Sequence, residues 1–585
     1  MVFRLLHWFI LVWLFCLIDA QPDYGMHINT KWKNNFDWRL QRVNDIDLGE
    51  TVQEDTCVGT DVEYVAAALQ YEAFDDLGGG GLAVLEQNAL KFIEYAKIAK
   101  EKGTQIIVFP EHGLTSLNLA PDPEVFLTQT QVVPDPKDRE IPCEYTHVKD
   151  SSKIMKELSC AAIENTMYLV VDLSEQFNCS AIDSLQKTTE YTDVSSCIFY
   201  NTQVVFDEAG AVVARYRKKH LFSRSHFTPG SDPDVSASFE TSFGVTFTLM
   251  ICFDILYETP AIVNFNNLGI RDAIMSTGWM DQLPFLTAPQ IWKGFTMGNN
   301  VNLVVANLYN PSDGFLGAGI FRGVASEPEE YTYDTSSGTK LIVGSVKTTS
   351  TSLPAKRSRS NSEMNLEHGL DLELIYPTEQ KQNLLLSLER EGVVPLSRKT
   401  GTKMYQKYKH ENLSGYNYTV LERSASSTAS ILNKTVCDED ELCCHVSYSY
   451  PASTEPEDFV YMIIAFSGLS EHANYTYFTF NQNCGVVLCL DESISSCGHI
   501  EGALIGDSTF RAYELSGTFV DHYVYPSVLT DSLQLFDPAR WGYSVTHMSD
   551  HYYAKINLHE EVNDLLTLGL YSRVFSKDPE YARED

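Results

Sequence analysis

The sequence predicts an α/β first domain followed by a smaller, mostly β second domain, and three observations carry that prediction. Between about Tyr64 and Asn310, apolar strand-like runs alternate with helical patterns, the rhythm of an α/β layer fold. From Thr348 to Glu367 the composition turns to Ser, Thr, Lys, Arg and Asn, as a connector requires. Beyond it, the apolar segments are β-branched and aromatic, with Tyr and Phe alternating with polar residues, a pattern that suits half-buried strands. A chain of 585 residues also exceeds what one hydrophobic core usually supports.

In chain order, Arg4 precedes a mostly apolar stretch from Leu5 to Ile18, with Ala20 as a small residue at a cleavage point. This reads as a signal peptide over residues 1–20, too short to span a bilayer. The first domain is expected over 21–335, with strands at Glu63–Leu69, Gln105–Phe109, Met167–Leu173, Gln203–Phe206, Val245–Ile251, Ala273–Ser276 and Asn302–Ala306. Its clearest helix is Leu82–Lys102, where Leu85, Ala89, Phe92, Ile93, Ala96 and Ala99 recur at helical spacing and Gly103 stands at the C-cap. A linker or mobile loop over 336–370 includes the basic piece Lys356–Arg359, read as an exposed loop. The second domain, 371–585, has strand candidates at His445–Tyr450, Phe459–Phe466, Tyr475–Phe480, Gly485–Leu490 and Ala512–Val520.

Apolar residues make up 44% of the chain and aromatics 12%, enough for folded cores and against global disorder. The net charge of −35 repels phosphate backbones, so nucleic acid is not an expected partner. The leader, the polar tail from Tyr571 and the lack of a later spanning segment imply free secretion without a membrane anchor. Five glycosylation sequons, at Asn178, Asn412, Asn417, Asn433 and Asn474, agree with that compartment. Of thirteen cysteines, Cys16 lies in the leader, and the remaining ones are expected to form disulfides of undetermined pairing. If Cys252 is a free nucleophile, an odd number remains, so one further thiol is unpaired or bonds between chains.

Three segments can carry chemistry. Val108–Gly113 is a buried-looking strand ending in Pro110 and delivering the carboxylate of Glu111. Val212–Phe222 is a basic cluster between apolar anchors, in which a buried ammonium would stabilise an oxyanion. Phe247–Asp254 is an apolar run interrupted by Cys252, for which a small core residue is the bland alternative. A metal site at Cys443, Cys444 and His445 lacks zinc-ligand spacing, and disulfides explain these cysteines better. No metal or cofactor is expected.

Taken together, in this order and on strand ends, the three segments resemble the nitrilase superfamily over roughly Tyr64 to Gly323, including Ser276-Thr277-Gly278-Trp279-Met280. Ala214-Arg215-Tyr216 before Lys218, Leu221-Phe222 after it, and Cys252-Phe253-Asp254-Ile255-Leu256 resemble its vanin and biotinidase branch. The resemblance implies an α-β-β-α sandwich with a smaller β-rich base domain. It also implies three catalytic residues: Cys252 as nucleophile, Glu111 as proton acceptor and donor, and Lys218 as oxyanion stabiliser. Two departures stand out: His112 occupies a place where the family commonly has an acidic residue, and Lys219 is a second ammonium candidate.

The implied reaction is thiol-dependent hydrolysis of a small linear amide through an acyl-Cys252 intermediate. Glu111 would serve both half-reactions, which asks for a pKa raised toward neutrality. Pantetheine, cleaved to pantothenate and cysteamine, is the leading substrate. Biotinyl amides such as biocytin are the alternative, as is an inert secreted binding protein on the same scaffold. Trp279, Met280, Trp292 and Phe295 are candidates for the substrate wall. Oligomeric state is not legible.

Overall fold

Successive residues of β1 (Asp61–Tyr71) go to different cores: Tyr64, Ala66 and Ala68 to one, Ala67, Leu69 and Tyr71 to the other. A strand turns alternate side chains to opposite faces, so a strand apolar on both faces must be covered on both. The computed structural model describes residues 61–75, 81–179, 197–222, 226–231, 238–324, 329–349, 409–425, 430–439, 442–452, 459–472, 477–499 and 508–579. The expected leader, Lys356–Arg359 and Asn474 lie outside them.

After β1 come α1 (Gly81–Glu101), β2 (Ile106–Val108), α2 (Pro123–Leu127), α3 (Asp150–Asn165), β3 (Tyr168–Phe177), β4 (Ile198–Phe206) and β5 (Val212–Arg217). They are followed by β6 (Ser238–Glu240), β7 (Thr246–Ile251), α4 (Ala261–Leu268), β8 (Asp272–Thr277), β9 (Gln282–Leu283) and α5 (Ala288–Asn299). β10 (Asn302–Leu308), β11 (Ala318–Phe321), β12 (Glu330–Thr332) and β13 (Lys340–Thr349) complete this part. The main sheet runs β5-β4-β3-β2-β1-β10-β8-β7-β6. β13 lies antiparallel to β1 along Asp61–Gln70, so only Gln70 and Tyr71 of β1 register with β10. There the sheet divides into two halves.

The halves face one another. Gln203 Nε2 on β4 donates to Ser276 Oγ on β8 at 2.9 Å, and Ser276 Oγ donates to the Phe109 carbonyl at 2.7 Å. On the outer face of the β1–β5 half, α1 buries Leu85, Ala89, Phe92, Ala96 and Ala99. Phe92 stacks on Phe109 with centroids 4.1 Å apart. Beyond Lys102, Gly103 takes φ +80°, ending the helix. On the other half, α4 and α5 supply Phe265, Ile291 and Phe295 to the larger core. The layers are therefore α-β-β-α, as the resemblance implied.

All seven expected strands of this part form, each overlapping β1, β2, β3, β4, β7, β8 or β10. Two segments differ from the sequence reading. The basic run Val212–Arg217 is a strand, β5, because its backbone pairs antiparallel with β4. Residues 340–349, assigned to the linker, form β13: Ile342 and Val346 are buried on one face and Leu341 and Val343 are partly buried on the other.

The C-terminal part is almost wholly β. It comprises β14 (Lys409–His410), β15 (Asn417–Val420), β16 (Leu432–Cys437), β17 (Cys443–Ser449), β18 (Val460–His472), β19 (Tyr477–Cys489), β20 (Arg511–Phe519), β21 (Val524–Thr530), β22 (Trp541–His547), β23 (Tyr552–Leu558) and β24 (Leu565–Arg573). Two antiparallel five-stranded sheets result, β15-β18-β19-β24-β21 and β16-β17-β20-β23-β22. Of the expected segments Tyr475–Phe480 and Gly485–Leu490, the described residues Tyr477–Phe480 and Gly485–Cys489 belong to one continuous strand, β19, since the polar residues between them are paired with β18 and β24.

This part docks closely on α5. A Cβ on Gly298 would sit 2.5 Å from the Val524 carbonyl oxygen, so only glycine permits the approach. β14 pairs parallel with β9, with Lys409 N donating to the Asp281 carbonyl at 2.7 Å and Glu411 N to that of Leu283 at 2.8 Å.

Among the described residues five disulfides are present: Cys143–Cys160, Cys179–Cys197, Cys437–Cys443, Cys444–Cys484 and Cys489–Cys497. Cys443 and Cys444 are thus both bonded, which removes the metal reading of that cluster. Among the described residues Cys252 is free, and Cys57 lies outside them. Cys444–Cys484 joins the two C-terminal sheets and closes 40 residues, a loop whose closure entropy corresponds to roughly 4 kcal/mol. Replacing both cysteines with alanine is expected to lower stability by about 2–4 kcal/mol without changing Cys252 chemistry. Denaturant titration of the double variant checks this.

Candidate active site

Glu111 is set just past the end of β2, after Phe109 and Pro110, and is 3% exposed. Its Oε1 accepts hydrogen bonds from Lys218 Nζ at 2.6 Å and Asn201 Nδ2 at 2.8 Å, and its Oε2 accepts from Gly278 N at 2.9 Å. The chain then turns through His112 at φ +57°, a left-handed conformation unfavourable for a side chain with a Cβ. His112 N donates to the buried Asp172 Oδ1 on β3 at 2.9 Å.

Lys218 follows β5, which sorts the basic cluster by direction. Arg217 Nε and Nη2 bind the buried Glu175 carboxylate at 2.8 and 2.5 Å. Lys218 turns the other way, 3% exposed, onto Glu111. Lys219 is half-buried and lies outside the lining of the active cavity, which removes the second ammonium candidate from the site.

Cys252 begins a 3-10 turn, Cys252–Leu256, at the end of β7, with φ +49°. Such a strained residue persists where its surroundings over-determine it, and Asp254 is the determinant. Its Oδ2 accepts from Ile251 N at 2.9 Å and Tyr216 OH at 2.8 Å, and its Oδ1 from His220 N at 3.1 Å. One buried carboxyl therefore ties the thiol's turn to the segment that carries Lys218. The sulfur lies 3.7 Å from the Gly278 carbonyl oxygen. Since Gly278 N binds Glu111, a single glycine touches both the carboxylate and the thiol.

The charges follow from this packing. Burial alone would raise Glu111, but Lys218 and the Gly278 hydrogen bond outweigh it and hold the carboxyl below its usual range. This is opposite to the expected shift toward neutrality: the ammonium in direct contact exceeds the desolvation cost. Burial likewise opposes the Lys218 charge, and Glu111 and the nearby thiol hold it above the usual lysine range. Burial and the Glu111 charge push the Cys252 thiol up to about 12, against the lowering effect of Lys218. At neutral pH the resting set is carboxylate, ammonium and un-ionised thiol.

These groups line a cavity of about 840 Å³. Trp279 and Met280 line it as anticipated, whereas Trp292 and Phe295 do not. Trp292 is fully buried against Phe321 and Phe295 against Tyr525, because α5 directs them into the core and the C-terminal interface. Part of the wall comes from the C-terminal half, through Lys409–Asn412, Tyr416 and the end of β18.

Asn201, Asp254, Tyr216, Asp172 and Gly278 escaped the sequence reading as site residues. Asp254, Tyr216 and Gly278 stood in the motifs that carry the resemblance without being assigned to the site, whereas Asn201 and Asp172 carried no signal. Arg573, at the end of β24 and fully buried, was also missed. It donates to the Leu256 carbonyl at 2.6 Å and to Asp578 Oδ2 at 2.6 Å, fastening the end of the Cys252 turn to the C-terminal half. Phe253 packs edge-on against His472 and Tyr477 from the same half. Of the sequons, Asn178, Asn412, Asn417 and Asn433 are exposed.

A carboxylate, an ammonium and a thiol meeting in a sheltered cavity of an α-β-β-α sandwich define a carbon–nitrogen hydrolase. The Carbon-nitrogen hydrolase family model matches residues 66–308 and the Vanin C-terminal domain model residues 406–578. A pantetheine hydrolase of Homo sapiens is 30% identical over 83% of this chain and 82% of its own. Vanin-like protein 1 of Drosophila melanogaster is 27% identical over 88% and 85%, and a biotinidase of Bos taurus 27% over 88% and 93%. The chain belongs to the vanin family of carbon–nitrogen hydrolases. Among the described residues no helix is long and apolar enough to cross a membrane.

Lys218→Met leaves the Glu111 carboxylate buried without its cation and is expected to cost about 3–5 kcal/mol of stability. The double variant Lys218→Met/Glu111→Leu should recover part of it; equal or additive losses in denaturant titrations would contradict a coupled pair. Arg573→Lys keeps the charge but loses the planar fork. Turnover is expected to fall on the order of tenfold, with slower alkylation of Cys252 by iodoacetamide, as read by mass spectrometry.

Proposed function

We propose that this enzyme is a secreted thiol amidase that hydrolyses pantetheine to pantothenate and cysteamine through an acyl-Cys252 intermediate. The observation that carries the reading is the buried Glu111–Lys218 pair joined to the thiol through Gly278. The 30% identical pantetheine hydrolase supports the substrate. Five disulfides and four exposed sequons support secretion.

With the thiol un-ionised and Glu111 ionised at rest, proton transfer accompanies attack. The Cys252 S–C bond forms as its proton passes to Glu111, and the carbonyl oxygen becomes an oxyanion. Lys218 and the Phe253 N–H, in the first turn of the 3-10 helix, bind that charge; each such donor contributes roughly 3–4 kcal/mol in comparable sites. Glu111 returns the proton to the departing amine as the C–N bond breaks, leaving a thioester. It then takes a proton from water, whose oxygen attacks the acyl carbon. Collapse expels the sulfur, which recovers the proton from Glu111.

Cys252→Ala is expected to reduce cysteamine release from pantetheine at least about a thousandfold with the fold intact. Glu111→Gln should also stop release, yet alkylate with iodoacetamide at mildly alkaline pH at least as fast as wild type. Removing the neighbouring negative charge lowers the thiol's pKa while Lys218 remains. Loss of both reactions would reduce Glu111 to a structural role. Lysine released from biocytin in place of cysteamine would favour the biotinyl-amide reading, and release of neither an inert scaffold.

A further inference from the structure

One sequon stands at the opening of the cavity. Asn412 is exposed and also lines the cavity, and it begins the acceptor sequence Asn412-Leu413-Ser414. The other described sequon asparagines, Asn178, Asn417 and Asn433, lie outside the lining.

The turn that presents Asn412 is fixed on both sides. Glu411 N donates to the Leu283 carbonyl at 2.8 Å. Leu413 and Tyr416 are buried, and Tyr416 stacks on Phe466 with centroids 4.6 Å apart. Asn412 Oδ1 accepts from Ser414 N at 3.1 Å, and its Nδ2, the atom that carries a sugar, bonds to nothing among the described residues. At the next sequon, by contrast, Asn417 Nδ2 donates to the Cys437 carbonyl at 3.0 Å.

Around this opening, apolar surface continues from the cavity to solvent, because Leu117, Phe222 and Leu469 line the cavity and are exposed. Exposed apolar surface invites contact with other proteins, which would bring amides on large molecules to Cys252. A bulky, hydrated oligosaccharide on Asn412 obstructs that approach. It rejects macromolecules sterically and leaves the cavity open to small molecules.

We propose that an N-linked glycan on Asn412 stands over the mouth of the cavity and restricts the enzyme to small, free amides. The proposal rests on the reading of the chain as a secreted amidase and deepens it by naming the size class of the substrate. The linkage forms between Nδ2 and the anomeric carbon of an oligosaccharide carried on a lipid diphosphate; the diphosphate leaves and Nδ2 gives up one proton.

The test uses the full chain secreted from glycosylating eukaryotic cells. Mass spectrometry of the wild type is expected to find the sugar on Asn412. A bare Asn412 beside an occupied Asn178, Asn417 or Asn433 overturns this proposal alone, and bare sequons throughout overturn it together with the secretion reading. Activity is then compared on free pantetheine and on pantetheine tethered through its sulfur to a folded carrier protein. Loss of the sequon, by Asn412→Gln or Ser414→Ala, is expected to raise the tethered-to-free ratio of kcat/KM by about one to three orders of magnitude. Ser414→Thr keeps the sequon and should keep the wild-type ratio. An unchanged ratio without the sequon, or the same gain in Ser414→Thr with its glycan intact, overturns the proposal. Should neither sequon-free variant be secreted, trimming the wild-type glycans to a single sugar with an endoglycosidase must give the gain; its absence counts equally against the idea. A wild type that cleaves neither amide sinks the amide reading instead. Alkylation of Cys252 then decides: loss of the glycan should speed reaction with a polyethylene-glycol conjugate of iodoacetamide and not with iodoacetamide itself, and no such difference sinks the proposal as well.

Discussion

The ion pair between Lys218 and Glu111 is the constraint on which the rest of the site depends. Both partners are 3% exposed and 2.6 Å apart, and neither charge is tolerable there without the other. Holding the pair requires β2 and β5 to end at the same place, Asn201 on β4 to satisfy one carboxylate oxygen, and Gly278 after β8 to satisfy the other. Elements from both halves of the main sheet thereby converge on one carboxylate. The chemistry inherits this arrangement: an ionised base beside an un-ionised thiol leaves the nucleophile inert until an acyl carbon arrives.

The thiol's own turn is over-determined in the same manner. A left-handed Cys252 is held on one side by Asp254, which collects three hydrogen bonds, and on the other by Arg573, which grips Leu256. Arg573 belongs to the last strand of the C-terminal half. That half therefore does more than cover the rear of the catalytic sandwich. It anchors the nucleophile's turn and, through Lys409–Asn412 and Tyr416, forms part of the cavity wall.

Much of this was legible in the chain. The seven strands of the first part stand out because their cores are apolar on both faces, and α1 because its buried stripe has helical spacing. Glu111, Lys218 and Cys252 were picked out by their places at strand ends and by resemblance. β5 was obscured because Arg215 and Arg217 look like surface charges, although both pair with the buried Glu175. β13 was obscured because its polar residues share a strand with only two deeply buried apolar side chains, Ile342 and Val346.

The sequence by itself determined the layers and the reacting atoms, since hydrophobic periodicity and the identities of a thiol, a carboxyl and an amine are local properties. Only the tertiary structure decided which of two adjacent lysines meets Glu111, which way the carboxyl's pKa moves, and which aromatics face substrate. Each of these depends on distances and burial among residues tens to hundreds of positions apart. The direction of the Glu111 shift is the clearest case: desolvation and the Lys218 charge oppose one another, and only their relative placement decides which prevails.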